Sequence, residues 1–168
     1  MSLSQIIIIK GMRMNLIAEK YLEKNKNINR GYRKLEVWKE AIELYSCVKK
    51  KIKTLKELTF KTRAQIEDSA LSVSSNIAEG YCRRYLKENI QFNTIALASL
   101  GENYSQIFAL FNAEEINEEW FNEYDKIHYS IENKLIKLNK ASIENLMNNY
   151  DWKNDYQIRE MIERYNNI

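Results

Sequence analysis

The chain reads as an all-α protein built on four long helices, and three observations predict it. Its 168 residues include no proline and only four glycines, Gly11, Gly31, Gly80 and Gly101. Strand-and-turn folds need such punctuation repeatedly, whereas a few long helices need it seldom. Apolar residues recur at steps of three and four through most of the chain, the period of helices with one buried face. The central stretch, residues 69–80, is built largely of small residues. Neighbouring helices can approach it closely, so it belongs near the centre of a bundle.

The length suffices for one domain with a real core. Residues 1–31 read as an N-terminal extension, 32–149 as a four-helix bundle and 150–168 as an amphipathic C-terminal tail. Leu16, Ile17, Tyr21 and Leu22 allow a short amphipathic helix, followed by a linker to Gly31. The first long helix runs from about Leu35 to Leu55. Trp38, Ala41, Tyr45, Val48, Ile52 and Leu55 form its heptad seam, with Trp38 and Tyr45 taken as core. Thr62 and Gln65 have the spacing of a capping box and open the second helix. Ile66, Ala70, Val73 and Ile77 are its buried stripe, and it runs to about Tyr81. The next turn falls near residues 82–86.

The third helix, about 87–111, carries Phe92, Ile95, Ala96, Ser99, Leu100, Ile107, Leu110 and Phe111. Gly101 sits inside it. An interior helical glycine costs about 1 kcal/mol relative to alanine, so a close helix approach is the expected reason for it. Asn117 caps the fourth helix, Glu118 and Glu119 suit its positive end, and Ile116 and Phe121 form a hydrophobic staple. Trp120, Tyr124, Ile127, Ile131, Leu135 and Leu138 continue the stripe to Leu146 or beyond. In the tail, Ile158, Met161, Ile162 and Tyr165 lie at i, i+3, i+4 and i+7. Four helices already close a bundle, so this fifth apolar face needs another surface, which a neighbouring subunit could provide.

Two cysteines, Cys47 and Cys82, suit a reducing cytoplasm better than a disulfide framework. No run of about 18 apolar residues exists, so the chain is expected to span no membrane. The Ile6–Ile9 run is short and lacks secretory flanks, and Met12 or Met14 could equally be the start. The net charge of +3 is unevenly spread. From Arg30 to Arg63 eleven Lys/Arg face four Asp/Glu, a balance of +7; from Glu114 to Asp151 four face nine, a balance of −5. One arm is basic and another acidic.

Lys49, Lys50, Lys51 and Lys53, with Lys56, Lys61 and Arg63, could grip phosphate from a helix end and its following loop. They could equally be a solvated face that favours the helix C-terminus. Arg83, Arg84 and Lys87, interleaved with Tyr81 and Tyr85, form a second basic-aromatic cluster where bases could stack, or a partly exposed turn. Asn76, Glu79, Arg83 and Glu102 read as a functional site or as a buried or interfacial polar network that fixes helix register. Glu79 and Arg83 have the favourable i,i+4 order. Glu102 falls some 18 residues along the following helix, about 27 Å, so it is no catalytic partner of Glu79 within one hairpin. His128, the only histidine, is expected at the surface or boundary of an acidic helix. No phosphate-binding glycine loop, zinc-protease motif or di-metal pattern is present. The chain is therefore expected to be no enzyme, with no metal and no cofactor.

Asn76-Ile-Ala-Glu-Gly80 followed by Arg83 resembles the NIAEG-x-x-R signature of the four-helix-bundle family of 23S rRNA intervening-sequence proteins. Residues 95–102 resemble that family's second signature, IA-x-GSL-x-E. Leu35, Val37, Trp38 and Ala41 match the opening of its first helix, and Gln65 matches the start of its second. The resemblance covers about Tyr32 to Leu138. It implies an up-down-up-down bundle, a homopentamer and no known enzymatic activity. It also implies a relation to the accessory variability determinant proteins of diversity-generating retroelements, which bind a reverse transcriptase and nucleic acid. The chain departs from the family at Glu67-Asp68, where a basic pair is common, at Cys82 and Ala98 for glycine, Tyr85 for serine and Asn89 for phenylalanine. The function expected is a cytoplasmic adaptor that binds RNA or DNA through its basic surfaces, with Gly80 and the other signature residues structural or at an interface. The alternative is a purely protein-binding or structural oligomer.

Overall fold

A computed structural model describes residues 15–24, 31–83 and 85–148. The Ile6–Ile9 run, Arg84 and the apolar stripe from Ile158 to Tyr165 lie outside the described residues. Those described form five α-helices and one 3-10 turn, with no strand among them. The helices are α1 (Leu16–Lys24), α2 (Glu36–Ile52), α3 (Phe60–Cys82), α4 (Leu86–Asn112) and α5 (Glu118–Met147), and the 3-10 turn spans Gly31–Lys34. No helix among the described residues is long and apolar enough to cross a membrane.

The four long helices pack in a ring: α2 on α3, α3 on α4, α4 on α5, and α5 back on α2. One apolar cluster fills the centre, with Leu44, Val48 and Ile52 from α2 and Ile66, Val73 and Ile77 from α3. Leu100 and Ile107 from α4, with Tyr124, Ile131 and Leu135 from α5, complete it. The inward face of α2 is Val37, Ala41, Leu44, Val48 and Ile52. Trp38 and Tyr45, expected in the core, are instead half-buried at its edge. Rings with a polar atom reach water there while their carbon faces pack inward.

Local chemistry sets the helix ends. Thr59, rather than Thr62, caps α3; its hydroxyl accepts the N–H of Thr62 at 3.1 Å. Asn117 caps α5 through the N–H of Trp120 at 3.2 Å, with Ile116 and Phe121 both buried beside it. Glu88 accepts the N–H of Tyr85 at 3.3 Å where α4 begins. Gly31, at φ +66°, starts the 3-10 turn in the left-handed region, and a Cβ there would strike the Tyr81 ring.

The two helical glycines differ. A Cβ on Gly80 would lie 2.7 Å from Cβ of Phe92 and 3.3 Å from the Asn89 carbonyl oxygen. Gly80 is therefore a place where α3 and α4 come close. At Gly101 an added Cβ meets nothing within 4 Å. The close approach expected at Gly101 is absent within the described residues, because this glycine faces outward.

Candidate nucleic-acid interface

The basic residues fall at the two ends of α3, a helix of 23 residues and so about 34 Å long. At its start they surround the α2–α3 connection. Arg63 donates to the Ile52 carbonyl at 2.8 Å and to the Leu55 carbonyl at 3.0 Å. Its guanidinium thus closes the C-terminal end of α2, where free carbonyls and the helix dipole favour a cation. Lys49 donates to the Tyr45 hydroxyl at 2.8 Å and pairs with Glu67 at 3.3 Å. These contacts, the hydrogen bond to Tyr45 first, hold its pKa above the usual lysine value. Glu67, one of the acidic departures from the family pattern, is therefore matched by a lysine of α2. The Lys51 ammonium lies 5.6 Å from the Trp120 ring centre. Lys50 is exposed. Lys53, Lys56 and Lys61 are exposed as well, and none has an ion pair among the described residues.

The Lys51–Trp120 contact brings the start of α5 to the same end. Glu118 and Glu119 occupy that first turn. One end of the molecule thus carries a basic connection beside an acidic one.

At the other end, the 3-10 turn packs against the last turns of α3. Tyr32 meets Trp38 edge-on at 5.3 Å and Tyr81 at 6.5 Å between ring centres. Arg33 lies over the Tyr32 ring at 5.8 Å. Arg83 pairs with Glu79, lies 3.9 Å from Glu88 and sits 4.6 Å from the Phe92 ring centre. Lys87 and Tyr85 are exposed, and Arg84 lies outside the described residues. Arg33 and Tyr32 were missed in the sequence because nothing local to them shows that Gly31 folds the turn onto Tyr81.

The signature residues do not converge. Asn76 donates to the Ser72 carbonyl at 2.8 Å and to the Ser72 hydroxyl at 2.9 Å. Ser72 meets Ser99 of α4 at 2.9 Å. Glu79 and Arg83 form a half-exposed surface pair. Glu102 is exposed and accepts from Gln106 at 3.1 Å.

The buried polar network is built from other residues. Asn103 donates to the Ile66 carbonyl at 3.1 Å and to the Ser69 hydroxyl at 3.0 Å. The Tyr124 hydroxyl donates to Oδ1 of Asn103 at 3.0 Å. Asn103 and Tyr124 are both 0% exposed. This chain of bonds ties α3, α4 and α5 together.

His128, expected at the surface or boundary, is buried at 8% exposure. Its ring lies 4.7 Å from Tyr104 and bonds to the Leu100 backbone. Burial lowers its pKa below the usual histidine value, against the pull of Glu132 and Asp125. Nε2 has no partner among the described residues. Burial pushes the Cys47 thiol up to about 12, although Lys50 and Lys51 favour its anion. Cys47 is therefore no activated nucleophile at neutral pH. Among the described residues, no His/Cys/Asp/Glu group could hold a metal ion.

The family described as 23S rRNA-intervening sequence protein matches residues 33–137. The chain belongs to that family. No curated protein matches it. Among solved structures, this intervening-sequence family member is similar to a Bacteroides thetaiotaomicron protein with unknown function from the S23 ribosomal protein family. The TM-score is 0.58 at 21% identity, and the match covers 62% of this chain and 98% of that one. That likeness concerns the fold alone.

Proposed function

We propose that the protein is a non-enzymatic, self-associating four-helix bundle that binds the phosphate backbone of RNA or DNA through its α2–α3 connection. The observation that carries this reading is the exposed trio Lys53, Lys56 and Lys61, without ion pairs among the described residues. Cations around a helix end and its loop suit phosphate contact without base readout. The acidic start of α5 would keep a bound strand on the α2–α3 side. Contacts across the helix ring support an up-down-up-down order. Lys51 meets Trp120 while Glu40 meets Ser130 and Lys134, and Ser69 meets Gln106 while Ser72 meets Ser99. By the same reading it serves as a cytoplasmic adaptor for a nucleic-acid enzyme such as a reverse transcriptase.

Titration of fluorescent single-stranded and duplex RNA at about 50 and 200 mM salt tests it. Affinity should fall steeply with salt. The combined change K53Q/K56Q/K61Q should weaken binding at least about tenfold and reduce the salt slope by about 3. No binding at either salt would sink the reading.

A second reading, a purely protein-binding oligomer, is favoured by an outward patch of small and apolar residues on α3 and α4. Ser75, Ala98 and Gly101 are all exposed, and Leu71 and Ile95 nearby keep 42% and 39% of their surface. Small side chains beside apolar ones allow a neighbouring helix to approach closely. Analytical ultracentrifugation tests the self-association common to both readings; the family resemblance leads us to expect a pentamer, and a monomer at all concentrations would rule it out.

A further inference from the structure

The outer face of α5 carries a line of large apolar side chains that the described residues leave exposed. Tyr129, Ile136, Ile143 and Met147 follow at steps of seven, seven and four, so they share one stripe. They keep 65%, 51%, 44% and 78% of their surface exposed. The inward stripe of the same helix, Tyr124, Ile131 and Leu135, is fully buried. The outer stripe is therefore a second seam rather than the edge of the core. Half of it lies beyond the residues the family matches, which end at residue 137, and Ile143 and Met147 belong to that half.

We propose that the chain's own C-terminal segment, residues 149–168, is the occupant of this seam, its Ile158, Met161, Ile162 and Tyr165 stripe lying on Ile136, Ile143 and Met147. The seam ends at Met147, the last residue of α5, so the segment departs from the seam itself. The stripe from Ile136 to Met147 is about 16 Å long, and that from Ile158 to Tyr165, if helical, is about 10 Å. Residues 149–157 can span up to about 30 Å, ample to reverse direction across the 8–10 Å between packed helix axes. An antiparallel return sets Ile158 near Met147 and Ile162 near Ile143. Tethering gives this segment a high effective concentration, which a separate partner lacks.

The test is disulfide trapping in the full chain carrying Cys82→Ser. Ile143→Cys with Ile162→Cys should oxidise to an intramolecular disulfide, seen as a faster monomer band and the loss of two hydrogens by mass. Asn145→Cys with Ile162→Cys, at the same height on a different face, should do so at least about tenfold more slowly. Equal rates for the two pairs, or a disulfide-linked dimer in place of the monomer product, would overturn the proposal; the dimer would assign the seam to a second copy. A readout without cysteine substitution follows Met147 under peroxide by peptide mass spectrometry. Its oxidation should quicken several-fold when the chain ends at Asn148, and an unchanged rate would also overturn the proposal.

Discussion

His128 and Tyr124 show how single side chains in this protein depend on their surroundings. Burial lowers the His128 pKa below 6.5, so the unfolded chain takes up a proton that the folded chain resists. Stability is then lost as pH falls through about 6.5, and the loss grows until pH is below the lowered folded value. Urea midpoints at pH 7.5 and 5.5 should show this loss, and His128→Phe should remove most of it. A variant as acid-sensitive as the parent over that window would place the effect elsewhere. Among the described residues, Tyr124 supplies the one hydrogen bond to Oδ1 of Asn103. Tyr124→Phe would leave that buried oxygen unpaired at a cost of about 1–3 kcal/mol, measurable by urea unfolding.

At the scale of the helices, Gly80 and Gly101 make a matched pair. Both interrupt good helix sequence, yet among the described residues only Gly80 faces another helix. Gly80→Ala should cost about 1–3 kcal/mol, because the new methyl group meets Phe92 and the Asn89 carbonyl and the α3–α4 contact must open. Gly101→Ala should stabilise the isolated chain by up to about 1 kcal/mol through helix propensity. If the outward face of α4 is the self-association surface, the same alanine should weaken assembly. Thermal unfolding and sedimentation of the two variants separate these effects, and a neutral Gly80→Ala would contradict the close approach.

At the scale of the molecule, the described residues form a ring of four long helices with opposite charges at one end and aromatic-basic residues at the other. α1 has no buried residue, so the ring should stand without it. Removing residues 1–30 should shift Tm by less than about 4 °C, roughly what 1 kcal/mol does in a domain of this size. A larger drop, followed by circular dichroism, would show that the N-terminal extension contributes to the core.

The sequence by itself determined the helical class, the number of long helices and several of their ends. The Asn117 cap and the Ile116–Phe121 staple were readable because a cap and its partners lie within a few residues of each other. The stretch around Gly80 was readable as a place of close helix approach for a similar reason: small side chains state locally that something comes close. Tertiary structure alone decided what faces what. It chose Val37 and Leu44 over Trp38 and Tyr45 for the core, since amphipathic rings satisfy either side of a seam. It buried His128 and Asn103, whose partners Leu100, Ile66, Ser69 and Tyr124 come largely from other helices. It also committed Arg63 to the Ile52 and Leu55 carbonyls at and just beyond the end of α2, leaving Lys53, Lys56 and Lys61 outside. Helical periodicity is a local property, whereas the burial of a polar or small residue is decided by groups distant in the chain that must arrive to satisfy or to exclude it.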